Sequence, residues 1–156
     1  INCLYHLLRQ TLHINNMIKK IFIISFTLFI ISGLSKADDS LANDLSKTQD
    51  IIENQIQAFK SKNAELAYSF ASPMIKLKFN NPQDFMSMVK SFYEPVYNPK
   101  QYYFIDSKYF EGSIYHQLQI ISQSNMSYLA TYSLIKDENE WKISGCSVLP
   151  MKQESI

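Results

Sequence analysis

The stretch SIYHQLQIISQSNMSYLATYSLI, residues 113–135, decides the fold of this chain. Apolar and polar residues alternate on both sides of the short polar segment Gln123-Ser124-Asn125. Alternation with a period of two is typical of a strand that has one buried face and one exposed face. Because a short connection joins antiparallel neighbours, we expect a hairpin of two strands, Ser113–Ser122 and Ser127–Ile135.

The segments on either side of this hairpin extend the same pattern. Tyr102–Tyr109 precedes it and Glu140–Leu149 follows it, and each is separated from the hairpin by residues that favour turns. Successive short turns predict a four-stranded antiparallel meander. Along the last strand, Trp141 and Ile143 share one face and Cys146 takes the other, unless Gly145 introduces a bulge.

Before Pro99 the period is that of helices. Over 41–60, apolar or small residues recur at steps of three and four, which indicates an amphipathic helix. Three helix-start signals follow, each a capping residue, two of them with proline in the next position: Asn63, Ser72-Pro73 and Asn81-Pro82. Ser72 is interpreted as a cap, since no histidine partner or glycine-rich elbow accompanies it.

Several apolar residues of these short helices are expected to be buried. Met74, Leu77 and Phe79 follow the second start signal, and Phe92 lies on the apolar face of the last predicted helix. Pro95 ends that helix, because its ring and missing N–H forbid continuation. Helices first and strands second predict an α+β fold, with N-terminal helices packed on one face of a curved four-stranded antiparallel sheet. We expect a single domain over 38–156, which is long enough for one core.

Residues 17–37 have the pattern of a signal peptide. Two lysines precede an apolar run over 21–31, and the small residues Ser35 and Ala37 stand where cleavage requires them. The run is too short for a permanent span of about 20 residues, although an uncleaved single-span anchor is left open. We expect a periplasmic or secreted domain that meets the membrane only transiently, with 1–16 as an upstream, non-native extension.

Charge and cysteine content exclude several classes of function. Four of the fifteen basic residues precede residue 38, whereas all fourteen acidic residues follow residue 37, so the predicted mature domain is acidic. An acidic domain without a basic stripe is not expected to bind nucleic acid. Cys146 and His116 are the cysteine and the histidine that remain after residue 37, which is too few for a zinc cluster. We expect no metal and no cofactor.

Several motifs occur in an order that resembles a known family. They are Ala71-Ser72-Pro73, Pro95-Val96-Tyr97-x-Pro99 and Trp141-Lys142-Ile143-x-Gly145-Cys146. Together they resemble a family of small exported bacterial proteins, catalogued as a domain of unknown function, over about 51–149. The resemblance implies the cystatin-like cone of nuclear transport factor two. It implies no activity, because one fold serves many functions.

A cone fold has a cavity between its helices and its sheet, and such cavities bind small molecules. We therefore name Tyr93, Tyr97, His116 and Tyr132 as candidate pocket residues. His116 shares strand parity with apolar residues, so we expect it to face the helices. For proton transfer, His116 would need a carboxylate, and Asp106 on the preceding strand is the candidate.

Three functions are compatible with these features. The first is non-enzymatic binding of a small apolar ligand or of a protein partner in the cell envelope. The second is a small cavity enzyme of the proton-transfer, isomerase-like type, using His116 and Asp106. The third is a structural subunit without a ligand. The opposite sheet face, with Tyr115, Gln117 and Gln119, is a candidate surface for a homodimer.

Overall fold

The computed structural model describes residues 39–152. The predicted extension (1–16) and the predicted signal peptide (17–37) lie outside these residues. Backbone contacts divide the chain after residue 43 into two units. Residues 39–43, the described part of the first unit, are helical and exposed. Within 39–152, no helix combines the length and the apolar character that crossing a bilayer requires.

The second unit contains a four-stranded antiparallel sheet whose spatial order follows the chain. The predicted meander is confirmed, and the third strand runs two residues beyond its predicted end. Gly112 and Asn139 occupy two of the turns with φ of 80° and 72°, the left-handed region that glycine and asparagine tolerate best. The strands are β1 (Gln101–Phe110), β2 (Ser113–Ile121), β3 (Ser127–Asp137) and β4 (Glu140–Pro150).

Helices precede the sheet, as predicted. Asn63 and Asn81 cap two of them, because their side-chain oxygens accept hydrogen bonds from the backbone N–H groups of Leu66 and Asp84 at 3.0 and 2.9 Å. Ser72 also stands at a helix start, but its hydroxyl makes no capping bond. The helices are α1 (44–60 within this unit), α2 (Ala64–Ser69), α3 (Pro73–Lys76), α4 (Pro82–Phe92) and α5 (Glu94–Tyr97).

The short helix α5 was not predicted. Pro95 does end α4, as expected, but it then stands in the first turn of α5. A proline's fixed φ suits that position and its missing N–H is not needed there. The same residue therefore stops one helix and starts the next.

The core lies between the helices and one face of the sheet, which confirms the α+β class. Alternate residues of β2 and β3 point into it and meet the apolar face of α1. Burial of this apolar area from water is the main stabilising contribution. Its fully buried side chains include Ile52, Ile56, Ile114, Leu118, Ile120 and Leu134.

A bulge in β1 changes which side chains face the core. Phe104 pairs with Leu118 and Asp106 pairs with Gln117, so Ile105 is left without a partner. An extra residue reverses the alternation beyond it. Asp106 consequently lies on the outer face of the sheet, and Ser107 takes the inward position.

A second bulge, in β4, settles the alternatives for Cys146. Ile143 pairs with Leu134 and Gly145 pairs with Ser133, which leaves Ser144 without a partner. Beyond it, Cys146 stands opposite the buried Tyr132 and shares the inner face with Ile143. The conditional prediction of a bulge near Gly145 is therefore the one that the structure adopts.

Three of the residues expected to be buried are exposed. Met74, Leu77 and Phe92 are 63%, 80% and 77% exposed, so the prediction was wrong for them. Helix α3 is a single turn, and only Ile75 and the following Phe79 reach the core. Phe92 is the last residue of α4 and lies beyond the buried residues Phe85 and Val89.

The outer face of the sheet carries the predicted polar row. Tyr115, Gln117 and Gln119 are half-buried there. Neighbouring Asp106 and Thr131 complete a shallow depression of about 180 Å³. Dimerisation through this face stays a prediction.

Candidate functional site

A cavity of about 350 Å³ lies between the helices and the β3–β4 half of the sheet. Helices α1, α3, α4 and α5 form one wall and the bulged part of β4 forms the other. Most of the lining is apolar, and it includes Phe59, Ile75, Phe79, Phe85, Val89 and Tyr93.

Aromatic packing holds the helix side of the cavity in place. The ring of Phe85 lies 5.4 Å from that of Phe79, edge to face, and 6.2 Å from that of Phe59. The ring of Tyr68 stacks on Phe85 at 5.6 Å from outside the lining. Such pairs contribute about 0.5–1.5 kcal/mol each beyond area burial. Three helices and the segment that follows α3 therefore share one aromatic cluster.

One residue of the lining, Tyr132, has a buried hydroxyl without a hydrogen-bond partner in the described part of the chain. Tyr132 is 1% exposed, and its phenolic oxygen makes no hydrogen bond within the described residues. Burial, with a smaller contribution from the neighbouring Cys146, raises the pKa of Tyr132 well above 10. The phenol is therefore neutral and able both to donate and to accept a hydrogen bond.

Cys146 lies across the strand pair from Tyr132. Although the residue as a whole is half-buried, the apolar neighbours of its thiol raise the pKa of Cys146, and Tyr132 offsets the rise only in part. A thiol with a raised pKa stays protonated at neutral pH and is a poor nucleophile. Cys146 therefore contributes a weakly polar wall to the cavity.

Two further polar side chains reach the cavity. Gln55 is 3% exposed, and its amide nitrogen donates to the carbonyl oxygen of Ala67 at 3.1 Å, which fixes the amide beside the lining. Lys78 is exposed and contributes the charged group of the lining. The cavity thus combines an apolar body, a buried phenol and a cationic rim.

His116 lies elsewhere in the core, between α1 and β1. Its Nε2 is 2.7 Å from the hydroxyl of Thr48, and its Nδ1 is 2.6 Å from that of Ser107. The Thr48 hydroxyl donates to the backbone carbonyls of Asp44 and Leu45, at 2.8 and 2.9 Å, so it must accept from Nε2–H. The ring is therefore assigned as the neutral tautomer with its proton on Nε2.

Burial keeps this imidazole neutral. Desolvation lowers the pKa of His116 from 6.5 to about 4. On the other side of the ring, Gln49 donates to Ser107 at 3.3 Å, which leaves the Ser107 hydroxyl proton for Nδ1. Every polar atom of this network has a partner, so its chemistry is that of a structural link between helix and sheet.

The structure brings some of the predicted site residues together and separates others. Tyr93 and Tyr132 line the cavity, whereas Tyr97 packs against the ring of Phe59 at 6.2 Å. His116 is not part of the lining. Asp106 projects from the opposite face of the sheet, so it does not meet His116.

Sequence reasoning named only Tyr93 and Tyr132 of the lining and missed its other members. The polar ones among those missed are Gln55, Lys78, Ser144 and Cys146. A signal for Gln55 does exist, because it stands between Ile52 and Phe59 on the apolar face of α1. Gly145 signalled a bulge that would turn Cys146 inward, but only the strand register shows that this bulge forms, at Ser144.

Among the residues that line the cavity, none is a histidine, an aspartate or a glutamate, and the ionisable side chains there are Lys78, Tyr93, Tyr132 and Cys146. Within 39–152, no three histidine, cysteine or carboxylate side chains converge on a metal-sized site.

Comparison with known proteins supplies a family. A family model described as a domain of unknown function (DUF4864) matches residues 41–156. This range contains every strand and every helix that builds the cavity. No curated protein matches the chain. Because the match covers most of the sequence, the chain belongs to the DUF4864 family.

Proposed function

We propose that this domain binds a small, largely apolar molecule in the cavity between its helices and its sheet, without catalysing a reaction on it. As part of this proposal, the helix-on-sheet arrangement is the cystatin-like cone. The domain binds its ligand after export, in the periplasm or outside the cell. Small-molecule sites are typically concave, mostly apolar and furnished with a few polar groups that orient the ligand. The alternatives against which this proposal is tested are binding of a protein partner in the envelope and a purely structural role.

The hydroxyl of Tyr132 carries the proposal. Burying a hydroxyl without a hydrogen bond costs about 1–3 kcal/mol by protein mutational data. A phenylalanine would fill the same space without this cost, yet the chain has tyrosine there, 1% exposed and unpaired within the described structure. The oxygen is closed off in the free protein, so a ligand with one acceptor or donor would satisfy it once the side chains around it have shifted.

The dimensions support a small ligand. A volume of about 350 Å³ is near the lower end of the range of about 300–1,000 Å³ for small-molecule sites. It suits a molecule with one short chain or with up to three small rings. The rings of Phe79, Phe85 and Tyr93 offer flat apolar contacts for such a body.

The ionisable side chains of the cavity disfavour acid–base catalysis there. Acid–base catalysis needs a titratable side chain near the operating pH, within hydrogen-bond reach of the substrate. Tyr132 and Cys146 have raised pKa values, and Lys78 stands at the exposed rim. The proton-transfer alternative would instead need His116 and Asp106, which lie on opposite faces of the sheet.

Fluorescence titration tests the proposal. The uncharged probe N-phenyl-1-naphthylamine, added to the full chain, should bind with increased emission. Val89→Phe adds a ring to the lining and should weaken binding at least tenfold. Leu149→Phe makes a similar addition at a 62% exposed position of β4 and should leave binding unchanged. Circular dichroism checks that both variants keep the fold.

A second variant covers the case in which Val89→Phe fails to fold. Tyr132→Phe keeps the volume and removes the hydroxyl, so it should lower affinity severalfold without loss of structure. Equal binding by the parent chain, Tyr132→Phe and Val89→Phe would refute the cavity as the site. Native mass spectrometry that finds a stoichiometric second chain and no small molecule would favour the structural subunit.

A further inference from the structure

One lysine, Lys78, lines the cavity of a domain that is otherwise acidic. Between residues 73 and 92 there are three lysines and one acid, Asp84, whereas acids outnumber lysines over the rest of 39–152. Among these lysines, Lys78 is the one that lines the cavity. A local charge of this kind selects ligands by sign even when the net charge of the protein opposes it.

The ammonium group of Lys78 has no ion-pair partner of its own. In the described part of the chain, the ion pairs within 4.0 Å are those of Lys136 with Asp44 and of Lys142 with Glu140. The neighbouring Lys76 is already engaged, since its Nζ lies 5.5 Å from the centre of the Tyr68 ring. Lys78 is therefore available to a charged group on a ligand.

The backbone on both sides of Lys78 is held by one side chain. The hydroxyl of Tyr68 lies 3.1 Å from the carbonyl oxygen of Lys76 and 3.4 Å from that of Phe79, and it donates to them. The ring of Phe79 is in turn packed on Phe85 inside the cavity wall. These contacts fix the backbone of this segment, so the position of the Lys78 Cα is fixed as well.

Three exposed apolar side chains lie close in sequence to lining residues. Leu77, directly before Lys78, is 80% exposed, and Met74, one turn earlier, is 63% exposed. On α4, the 77% exposed Phe92 follows the lining residue Met88 by four positions and so shares its face of the helix. A ligand that leaves the cavity would meet apolar surface and a cation together.

We infer that the ligand is a small amphipathic anion. Its apolar body lies in the cavity, and its carboxylate, sulfonate or phosphate end pairs with Lys78 at the opening. This inference rests on the proposed function. A cavity of about 350 Å³ limits the body to one short chain or up to three small rings.

Two probes that share a skeleton isolate the charge. 1-Anilinonaphthalene-8-sulfonate and N-phenyl-1-naphthylamine have the same ring system, and only the first carries a sulfonate. Lys78→Gln should weaken sulfonate binding about three- to fivefold, the range of an exposed ion pair, and leave the uncharged probe unchanged. Lys90→Gln, an exposed lysine of α4 outside the lining, is the matched control and should change neither affinity.

Two further measurements complete the experiment: titrations at raised ionic strength, and titrations of Val89→Phe, in which the cavity is blocked. Added salt should reduce the preference of the parent chain for the sulfonate, because exposed charge pairs are screened, and should have no such effect on Lys78→Gln. Because the apolar run 21–31 of the full chain can also attract these dyes, the readout is the part of the binding that Val89→Phe abolishes.

The results separate the two proposals. If Val89→Phe abolishes binding of the uncharged probe but Lys78→Gln leaves the ratio of the two affinities unchanged, the anion inference is wrong and the binding function stands. If Lys90→Gln lowers the ratio as much as Lys78→Gln does, the effect is general charge and the inference is again wrong. If Val89→Phe changes neither affinity, the cavity is not the site and both proposals fall.

Discussion

Replacing Tyr132 by phenylalanine should stabilise this protein while weakening its ligand binding. The side chain is 1% exposed, and its hydroxyl has no hydrogen-bond partner within the described residues. Phenylalanine has the same ring and lacks the oxygen, so the packing against Ala130, Leu134 and the helices is kept. The substitution therefore isolates a single buried polar atom.

The magnitude follows from the surroundings of that oxygen. A buried hydroxyl without a partner costs about 1–3 kcal/mol. The Cys146 thiol across the strand pair is a weak donor and acceptor, and it recovers part of this cost. We expect the free energy of unfolding to rise by about 1 kcal/mol, which corresponds to roughly 4 °C in Tm for a domain of this size.

Urea unfolding followed by Trp141 fluorescence measures the change, and Tyr68→Phe is its matched control. The Tyr68 hydroxyl donates to two backbone carbonyls at 3.1 and 3.4 Å. Removing it should lower the free energy of unfolding by about 1 kcal/mol. The same chemical change thus has opposite signs at two positions.

Two results would refute this reasoning. A loss of stability in Tyr132→Phe as large as that in Tyr68→Phe would mean that the Tyr132 hydroxyl is satisfied in the free protein. A stability gain that persists undiminished with saturating N-phenyl-1-naphthylamine would mean that the bound probe makes no use of the hydroxyl. Either outcome removes the main support for the binding function.

Three further predictions concern the frame around the site. Because burial lowers the pKa of His116 from 6.5 to about 4, the unfolded chain takes up the proton first as the pH falls. The free energy of unfolding is therefore unaffected by His116 above pH 6.5 and falls by at most about 3 kcal/mol between pH 6.5 and pH 4. His116→Gln should flatten this part of a plot of the urea midpoint against pH. Gly145→Ala should destabilise by about 1 kcal/mol, because the added Cβ would stand 3.0 Å from the Ser133 hydroxyl oxygen; a double-mutant cycle with Ser133→Ala should show the cost relieved, and additivity would contradict it. Asn63→Ala removes the cap of α2 and should cost about 1 kcal/mol by thermal unfolding, while Asn54→Ala, an exposed position within α1, should cost nothing.

The local sequence pattern was sufficient to predict features that depend on residues close together in the chain. The alternation over 113–135 predicted the inward faces of β2 and β3 because side chains on a strand alternate in direction. Asn63 and Asn81 predicted the starts of α2 and α4 because a cap bonds to an N–H only three residues away. Pattern was insufficient for Leu77 and Phe92, whose exposure depends on how far the core extends under a short helix or a helix end.

The candidate site divides in the same way. Tyr93 and Tyr132 were predicted as lining residues from position alone, whereas the pairing of His116 with Ser107 instead of Asp106 was not. A bulge at Ile105 decides that pairing. Bulges arise where two strands fail to match in length or twist, so they are properties of a pair of strands and leave little trace in either one.

The amino-acid sequence by itself determined that helices precede a four-stranded antiparallel meander and which faces of its central strands are apolar. Those properties depend on spacings of two, three and four residues along the chain. The tertiary structure alone decided that Cys146 turns inward to stand opposite Tyr132 and that Lys78 reaches the opening of the cavity. These placements depend on register between strands and on helix packing, where residues far apart in the chain come into contact.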